Sequence, residues 1–538
     1  MGNKQTLKIT SIGQNEETDS KSKEGVAEDS INAAGFGKFN YKVTILCSLI
    51  YINAAFSILS TGFIIPAAAC DFKMTTIDKG RIITAPILGS CFGPFVWGFL
   101  ADVRGRKFSL IIALFLQGNC ELLMSIVPNY WGFLVLKFFS GFGVIGQLSL
   151  LFTYVGEFQP TNYRKKILSL MDLALIVGMI LVPLLGWSII PLTFQYRNSF
   201  FLFRSWNLFI VLCSIPAEII GLWLIFFPET PKYLAETGRN IELFNVLVKV
   251  YTENTNKSPE SYFKILSECK NPLTQSLALN YVKKKDFEEE IDFKNDVRLK
   301  SILFDFKNQA KAIRAAPYLT RTILACLIAF TITLAYYSFL LWFPEVFQRL
   351  AQFQNKFPNE TATICSISDR MYSRSVNLSV EQIDPFGCDV PIDNSVYINS
   401  LWQAVACIPS SIILITFIDK VGFKYFLVAA TLAAFLTTIG MFFAKTKLQI
   451  MILTCLFESM TSICMSVIFC FVVVIFPTNF RVFAGALAIF FSRVGSLIGN
   501  ILFSYLIDNH CVPLIYIIAF HLLLGAIFCL MVKEQKYV

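Results

Sequence analysis

The stretch Gly98-Phe-Leu-Ala-Asp102-Val-Arg104-Gly105-Arg106-Lys107 joins two long apolar runs and decides the fold of this chain. An acid at one helix end, a glycine for the tight turn and basic residues on the next helix fit a short cytoplasmic helix hairpin in a membrane protein. A shorter copy, Asp419-Lys420-Val-Gly422-Phe-Lys424, stands between two apolar runs in the second half of the chain. Two such hairpins predict a protein built from two related halves.

The composition indicates that the natural solvent of the protein is a lipid bilayer. Of the 538 residues, 55% are hydrophobic and 15% are charged, whereas soluble domains carry about 25% charged residues. The net charge of +9 is modest, and no basic face alternates with exposed aromatic residues, so we expect no nucleic-acid binding. The two His and 15 Cys show no metal-ligand spacing, so we expect no metal and no cofactor.

Twelve apolar runs are long enough to cross about 30 Å of hydrocarbon. They lie at about 43–66, 82–101, 108–127, 131–155, 167–190, 207–227, 319–343, 397–418, 425–444, 449–476, 482–506 and 513–532. Lys and Arg concentrate in alternate loops, so the positive-inside rule places both termini and the long central loop in the cytoplasm. We therefore predict an all-α membrane protein with twelve transmembrane helices in two six-helix bundles.

The same features predict the organisation of the chain. We expect a disordered cytoplasmic tail at 1–40, a first bundle at 41–227 and a cytoplasmic linker with amphipathic helices at 228–318. The second bundle is expected at 319–532, with an exoplasmic loop at 344–396, and a short cytoplasmic tail at 533–538.

The predicted exoplasmic loop contains two glycosylation sequons, Asn359-Glu-Thr361 and Asn377-Leu-Ser379. It also contains Cys365 and Cys388. Glycans and disulfides both require the exoplasmic side. We therefore expect a bond between the two cysteines and a glycan on one or both asparagines.

Several motifs in order make the chain resemble the major facilitator superfamily over about residues 35–532. They are the Gly98–Lys107 hairpin, Lys137-Phe-Phe-Ser-Gly141-Phe-Gly143, Glu157-Phe-Gln-Pro160-Thr-Asn-Tyr-Arg164 and Pro228-Glu229-Thr230-Pro231-Lys232-Tyr233-Leu234. The last of these is typical of the sugar and organic-ion branch. Within that branch, Gly35-Phe-Gly37-Lys-Phe39 and Gly62-Phe-Ile-Ile-Pro66 look most like synaptic vesicle glycoprotein 2-like transporters, and organic cation transporters come next.

The resemblance implies a secondary transporter that moves a small organic solute by alternating access, with or without a coupling ion, in the plasma membrane or a vesicle membrane. It implies hairpins that lock the outward-open state. The implied gating positions are Gly98, Asp102, Arg104, Gly105, Arg106, Lys107, Glu157, Pro160, Arg164, Asp419, Lys420, Gly422 and Arg481.

The chain also departs from the family pattern. Val103 stands where an arginine usually follows the hairpin acid, and Arg104 is the expected partial substitute. Acids common in helix 1 of the family are replaced by Ala54 and Ser57. The positions of the family's acids and Trp in helix 10 align with Phe469, Val474 and Met465. This leaves open a non-transporting membrane protein of the same fold, acting as a receptor or vesicle component. No motif supports an enzyme.

The remaining charges in the predicted spans are the candidates for function, because a buried ion in a membrane costs several kcal/mol. Arg493 in helix 11 and Asp172 in helix 5 are the candidates for a substrate cavity, although Asp172 also fits a structural place near Lys165 and Lys166. The other spans carry Glu121, Lys137, Glu218 and Glu458. With Arg493 permanently charged, we expect an anionic or neutral solute over a permanent cation.

Overall fold

Twelve helices are long and apolar enough to span a membrane by length and composition, within the residues that the computed structural model describes: 25–198, 201–268, 318–358, 360–370, 392–475 and 478–532. We number them α1 Lys38–Ala68, α2 Thr76–Arg104, α3 Arg106–Met124, α4 Tyr130–Glu157, α5 Thr161–Ile189, α6 Ser205–Leu224, α7 Tyr318–Leu340, α8 Asn394–Val421, α9 Phe423–Phe443, α10 Lys447–Ile475, α11 Thr478–Leu506 and α12 Cys511–Met531. Each lies on one of the predicted apolar runs, so the predicted fold class is confirmed. Most of the helices are longer than their runs because polar end turns also take helical geometry.

The packing of the helices repeats after six. In the first bundle, α2 and α3 pack against α4, α1 packs against α5 and α6, and α3 packs against α6. In the second bundle, α8 and α9 pack against α10, α7 packs against α11 and α12, and α9 packs against α12. Adding six to each label of the first set gives the second set, which is the arrangement expected of two related halves.

Two long contacts hold the bundles together. Helix α2 packs along α11, and α5 packs along α8. These two pairs are again related by a shift of six helices. The interface between the bundles therefore consists chiefly of α2 and α5 on one side and α8 and α11 on the other.

Both predicted hairpins end on a glycine with a left-handed backbone. Gly105 between α2 and α3 has φ +106°, and Gly422 between α8 and α9 has φ +83°. Residues with a Cβ rarely adopt these angles, so glycine allows each chain reversal within one residue. We call the end of the molecule with the two hairpins the hairpin end and the opposite end the distal end.

Two elements at the distal end were not predicted. A second helix, Phe343–Lys356, follows α7 after a break at Leu341 and Trp342, in the stretch expected to be loop. A two-stranded antiparallel sheet, β1 Gln195–Asn198 and β2 Phe201–Arg204, connects α5 to α6.

At the start of α8, the Asp393 carboxylate accepts a hydrogen bond from the Ser395 N–H at 2.8 Å. The Ser395 hydroxyl and this backbone hydrogen bond hold the pKa of Asp393 below its ordinary value.

The segment expected to be a tail contains a helix at 25–34 that packs on the linker. The Tyr262 hydroxyl donates to the Ser30 carbonyl at 2.8 Å, and the Asn254 amide donates to the Gly35 carbonyl at 2.9 Å. Ala27 and Ile31 are buried in the same core as the linker helices. We call helix 25–34 together with the linker helices Pro231–Thr237, Asn240–Thr255 and Pro259–Ser267 the collar of the first bundle.

The predicted disulfide between Cys365 and Cys388 is corrected. Cys365 is bonded to Cys511 at the start of α12, with a Cα–Cα distance of 5.3 Å. The pairing joins residues 146 positions apart, and sequence proximity could not indicate it. Cys388, Asn359 and Asn377 lie outside the described residues, so both glycosylation sites stay predictions.

Candidate functional site

A group of polar side chains from both bundles surrounds Arg493, midway along α11. The Arg493 Nη1 donates to the Tyr337 hydroxyl of α7 at 3.3 Å, and its guanidinium carbon lies 5.8 Å from the centroid of that ring. The Arg493 Nε is buried and has no hydrogen-bond partner. The arginine is therefore held on one side by a tyrosine and retains an unused donor.

Asp172 of α5 belongs to the same region. Its carboxylate lies close to the hydroxyl of Ser466 of α10, which lies across the bundle interface. Tyr51 of α1 interacts electrostatically with both Asp172 and Arg493. The two candidates selected from the sequence thus converge on one tyrosine, although among the described residues they form no direct ion pair with each other.

We call Tyr51, Asp172, Tyr337, Ser466 and Arg493 the central cluster. The set contains one permanent cation, one acid and three hydroxyl groups, and its members come from five helices, α1, α5, α7, α10 and α11. Asp172 and Arg493 are only partly buried. Such a site can bind an uncharged hydroxyl-bearing group or an anion through hydrogen bonds, because both donors and acceptors converge on it.

The hairpin of the first bundle forms a separate charged network around Arg106. This guanidinium lies 3.5 Å from the Glu157 carboxylate, 3.4 Å from Glu236 and 4.0 Å from Asp102. It also stacks over the Tyr233 ring, 5.3 Å from the centroid. The network joins the ends of α2, α3 and α4 to the collar.

The other predicted gating residues of the first bundle take varied places. The Glu229 carboxylate accepts the backbone N–H of Lys107 at 3.0 Å, beside Gly105. Arg164 donates to the Gly156 carbonyl and to Glu28 of the collar, and Pro160 precedes α5 at its N-cap. Arg104 is exposed, and a Cβ at Gly98 would meet open space. Arg106, rather than Arg104, is therefore the central cation of this hairpin.

The hairpin of the second bundle is simpler. Lys420 lies over the Phe417 ring at 5.9 Å, and Lys424 donates to the Val532 carbonyl at 2.6 Å. The side chains of Asp419 and Arg481 lie outside the described residues.

At the distal end, by contrast, an ion network crosses between the bundles. Lys79 of α2 lies 2.6 Å from Glu345, which is also 3.2 Å from Arg349 on the same helix after α7. Arg349 continues the network to Asp508 at 2.7 Å and to the Thr76 hydroxyl of α2 at 3.1 Å. We call these residues the distal clasp. It holds the distal end of the interface closed.

A third polar network lies inside the first bundle, where the family acids of helix 1 are missing. The Glu121 carboxylate of α3 accepts hydrogen bonds from Ser57, Ser140 and Gln117, and it interacts with the buried cation Lys137 of α4. Lys137 in turn donates to the Thr61 hydroxyl at 3.0 Å. Helix α3 thus supplies the carboxylate that α1 lacks.

Sequence reasoning missed several of these residues. Glu229 and Tyr233 were visible as parts of a motif, and their partner Arg106 was visible in the hairpin, but their contact was not. Tyr51, Tyr337 and the distal clasp carried no motif at all. Only long-range packing brings them to their partners.

Two bundles of six helices, related by a shift of six and meeting around a polar cluster, define the class of secondary transporters with the major facilitator fold. The sequence model of the sugar (and other) transporter family matches residues 12–365, and the chain belongs to that family. Among curated relatives, synaptic vesicle glycoprotein 2B of Mus musculus is 29% identical over 59% of this chain and 47% of its own length. Synaptic vesicle glycoprotein 2C of Homo sapiens is 28% identical over 60% of this chain and 44% of its own.

The chain thus spans about half the length of the curated relatives it matches. Among solved structures, the partially occluded inward-open conformation of the xylose transporter XylE from E. coli aligns with a TM-score of 0.63 at 14% identity, covering 92% of this chain and 100% of XylE. The inward-open conformation of XylE aligns with a TM-score of 0.61 at 16% identity, covering 93% and 97%. At these identities the similarity establishes the fold.

Proposed function

We propose that this protein is a secondary transporter that moves a small organic solute across a membrane by alternating access. The central cluster carries the proposal, because it draws its side chains from both bundles at their interface. Relative motion of the bundles would expose such a site to one side of the membrane and then to the other.

The chemistry of the central cluster favours an anionic or neutral, hydroxyl-bearing solute over a permanent cation. Arg493 stays charged at any accessible pH and keeps an unpartnered Nε, which suits a carboxylate, phosphate or hydroxyl oxygen. Asp172 can accept hydrogen bonds from hydroxyl groups of the same solute. A quaternary ammonium offers no hydrogen-bond donor to Asp172 and is repelled by the guanidinium.

The distal clasp and the hairpin end together suggest the orientation of the conformation seen here. With the hairpin end in the cytoplasm, as the loop charges predict, the closed distal end would face the outside and the protein would be inward-facing. The Arg106 network would then brace the first bundle and its collar in every conformation, and the lock on the outward-open state would require contacts between the two hairpins.

An uptake screen tests the proposal. Protein in proteoliposomes is offered a panel of radiolabelled organic anions, sugars, nucleotides and a quaternary ammonium. We expect uptake of a sugar or an anion, and a loss of roughly tenfold or more in Arg493→Ala, because a hydrogen bond to a charged group contributes about 1.5–3 kcal/mol. Arg493→Lys keeps the positive charge but lacks the paired donors of the guanidinium, so its uptake should lie between that of the wild type and that of Arg493→Ala.

Uptake of the quaternary ammonium that is undiminished in Arg493→Ala would contradict the proposed solute class.

A second function is favoured by one observation: Phe95 of α2 and Phe490 of α11 pack ring to ring across the interface, with centroids 6.0 Å apart. An apolar contact of this kind suits a non-transporting receptor or vesicle component whose bundles stay together. Absence of uptake for the whole panel by folded protein would favour that function.

A further inference from the structure

Glu458 of α10 is a buried carboxyl group whose titratable neighbours among the described residues are all uncharged. The residue is 1% exposed, and neither of its side-chain oxygens has a hydrogen-bond partner. The Tyr336 hydroxyl of α7 lies beside the carboxyl group and interacts with it, but it brings no positive charge. An ionised carboxylate buried without a counter-charge costs several kcal/mol, so a carboxyl in these surroundings is stable only when it is neutral.

The titratable groups around Glu458 bring no positive charge. They are Tyr336 from α7, Cys407 from α8 and Cys455 from α10 itself. All three are neutral in their ordinary protonated form. Among the described residues, no group of three His, Cys, Asp or Glu side chains could hold a metal ion. A proton is therefore the ligand that this position suits.

Glu121 shows the opposite case within the same molecule. It is equally buried at 1% exposure, but it accepts hydrogen bonds from Ser140 and Gln117, each at 2.8 Å, and has Lys137 as a cationic neighbour. Glu458 has no such set of donors and no cation beside it among the described residues. The two glutamates thus differ in their partners at the same depth of burial.

The place of Glu458 relative to the bundle interface gives its proton a route to water. Cys407, which lies within electrostatic range of Glu458, packs with Ala404 against Ile176 and Met179 of α5. One turn earlier on α8, the Gln403 amide nitrogen is buried without a partner. Separation of α5 from α8 would admit water to this side of α8, where the unpartnered amide could bind it.

We propose that Glu458 is a proton-binding site of the transport cycle, protonated while α8 packs on α5 and deprotonated when that contact opens. The step breaks the carboxyl O–H bond and passes the proton to water, and it needs no other reactant. This inference rests on the proposed transport function, and it adds that transport is coupled to proton movement through the second bundle.

Infrared difference spectroscopy on the full-length protein in lipid tests the protonation, with the proton itself as the probe. We expect the carbonyl band of a protonated carboxyl group in the wild type at neutral pH, and its loss in Glu458→Gln. Glu260→Gln, the same change at an exposed acid of the collar helix Pro259–Ser267, is the control and should leave the band in place. Because an amide replaces a neutral acid of the same shape, Glu458→Gln should melt no lower than the wild type.

A spectrum of folded wild type that lacks this band shows Glu458 to be ionised and overturns the proposal, whatever the uptake screen finds. The coupling is tested with a pH-sensitive dye inside proteoliposomes. For a solute that the screen finds to move, the dye should respond in the wild type and in Glu260→Gln but not in Glu458→Gln, while solute exchange continues in all three.

An undiminished dye response in Glu458→Gln would also overturn the proposal. If no solute of the panel moves, the proposed function fails and the role of Glu458 in transport fails with it. The infrared band then still decides whether the residue holds a proton.

Discussion

Gly105 shows most clearly how a single residue can fix a turn in this protein. Its backbone has φ +106° and ψ 156°, a combination that is almost confined to glycine, and a Cβ there would overlap the Glu229 carboxylate. Gly105→Ala should therefore destabilise the protein by about 1–3 kcal/mol from the backbone alone. The melting temperature of the purified protein measures this.

The matched control is Gly98→Ala in the same hairpin sequence. Gly98 lies inside α2, and a Cβ there would meet no atom within 4 Å. Alanine is a better helix former than glycine by roughly 0.5–1 kcal/mol, so this variant should melt at the same temperature or slightly higher. Equal destabilisation by the two changes would show that the turn geometry is not the cause.

The sequence was sufficient to select charged residues in the apolar helices as candidates. It was not sufficient to identify the residues that they contact. Arg493 and Asp172 stood out because charged residues in apolar helices need a reason, and the structure brings both to Tyr51. Lys137 stood out in the same way, but its partner Glu121 lies on a different helix. No spacing rule links positions on α3 and α4, since their contact depends on how the helices pack.

Individual helices followed from the sequence when they crossed the membrane, because a long apolar run has few other stable states in lipid. The helix Phe343–Lys356 was missed because it mixes charged and apolar residues. This pattern follows the helical period, but amphipathic segments within loops show it as well. The same difficulty applies to helix 25–34, because its apolar face is buried only by packing on the linker helices. Short amphipathic elements are determined by their partners.

The helix Phe343–Lys356 supplies the test for the distal clasp. Lys79→Ala removes one partner of the nearly buried Lys79–Glu345 pair, whose side chains are 14% and 6% exposed. Breaking a buried pair costs about 3–5 kcal/mol, and less when another cation such as Arg349 remains. We expect faster hydrogen–deuterium exchange along Phe343–Lys356, because the closed distal end is weakened.

Arg81→Ala is the control for this experiment. Arg81 lies two residues further along α2 and pairs with Asp78 in the same turn, and its side chain is 50% exposed. Exposed pairs contribute little to stability, so exchange in Phe343–Lys356 should stay at the wild-type rate. An unchanged exchange rate in Lys79→Ala would mean that the clasp does not hold the bundles together.

For the whole molecule, the even number of spans predicts that both termini lie on the same side of the membrane. The Lys and Arg distribution assigns that side to the cytoplasm. Epitope tags at residue 1 and residue 538 should both resist protease added to intact cells and both become accessible after permeabilisation. Cleavage of either tag in intact cells would contradict the predicted orientation.

The architecture of the whole molecule was the most predictable level, because two hairpin signatures and twelve apolar runs leave few arrangements of two bundles. The disulfide was the exception. Cys365 bonds to Cys511 rather than to the nearer Cys388, because the chain after Phe343–Lys356 lies beside the start of α12. Contacts of this kind follow from the completed fold and not from distance along the sequence.

The collar also has a consequence for how the protein is made. Helix 25–34 is synthesised before α1, yet its partners Asn240–Thr255 and Pro259–Ser267 leave the ribosome only after all six helices of the first bundle. Domains generally fold as units during synthesis, with the N-terminal one first. Helix 25–34 can therefore dock on the linker helices only after the first bundle has been synthesised. Nascent chains should therefore acquire protease resistance in one step, soon after residue 267 emerges and before any part of α7 has been translated.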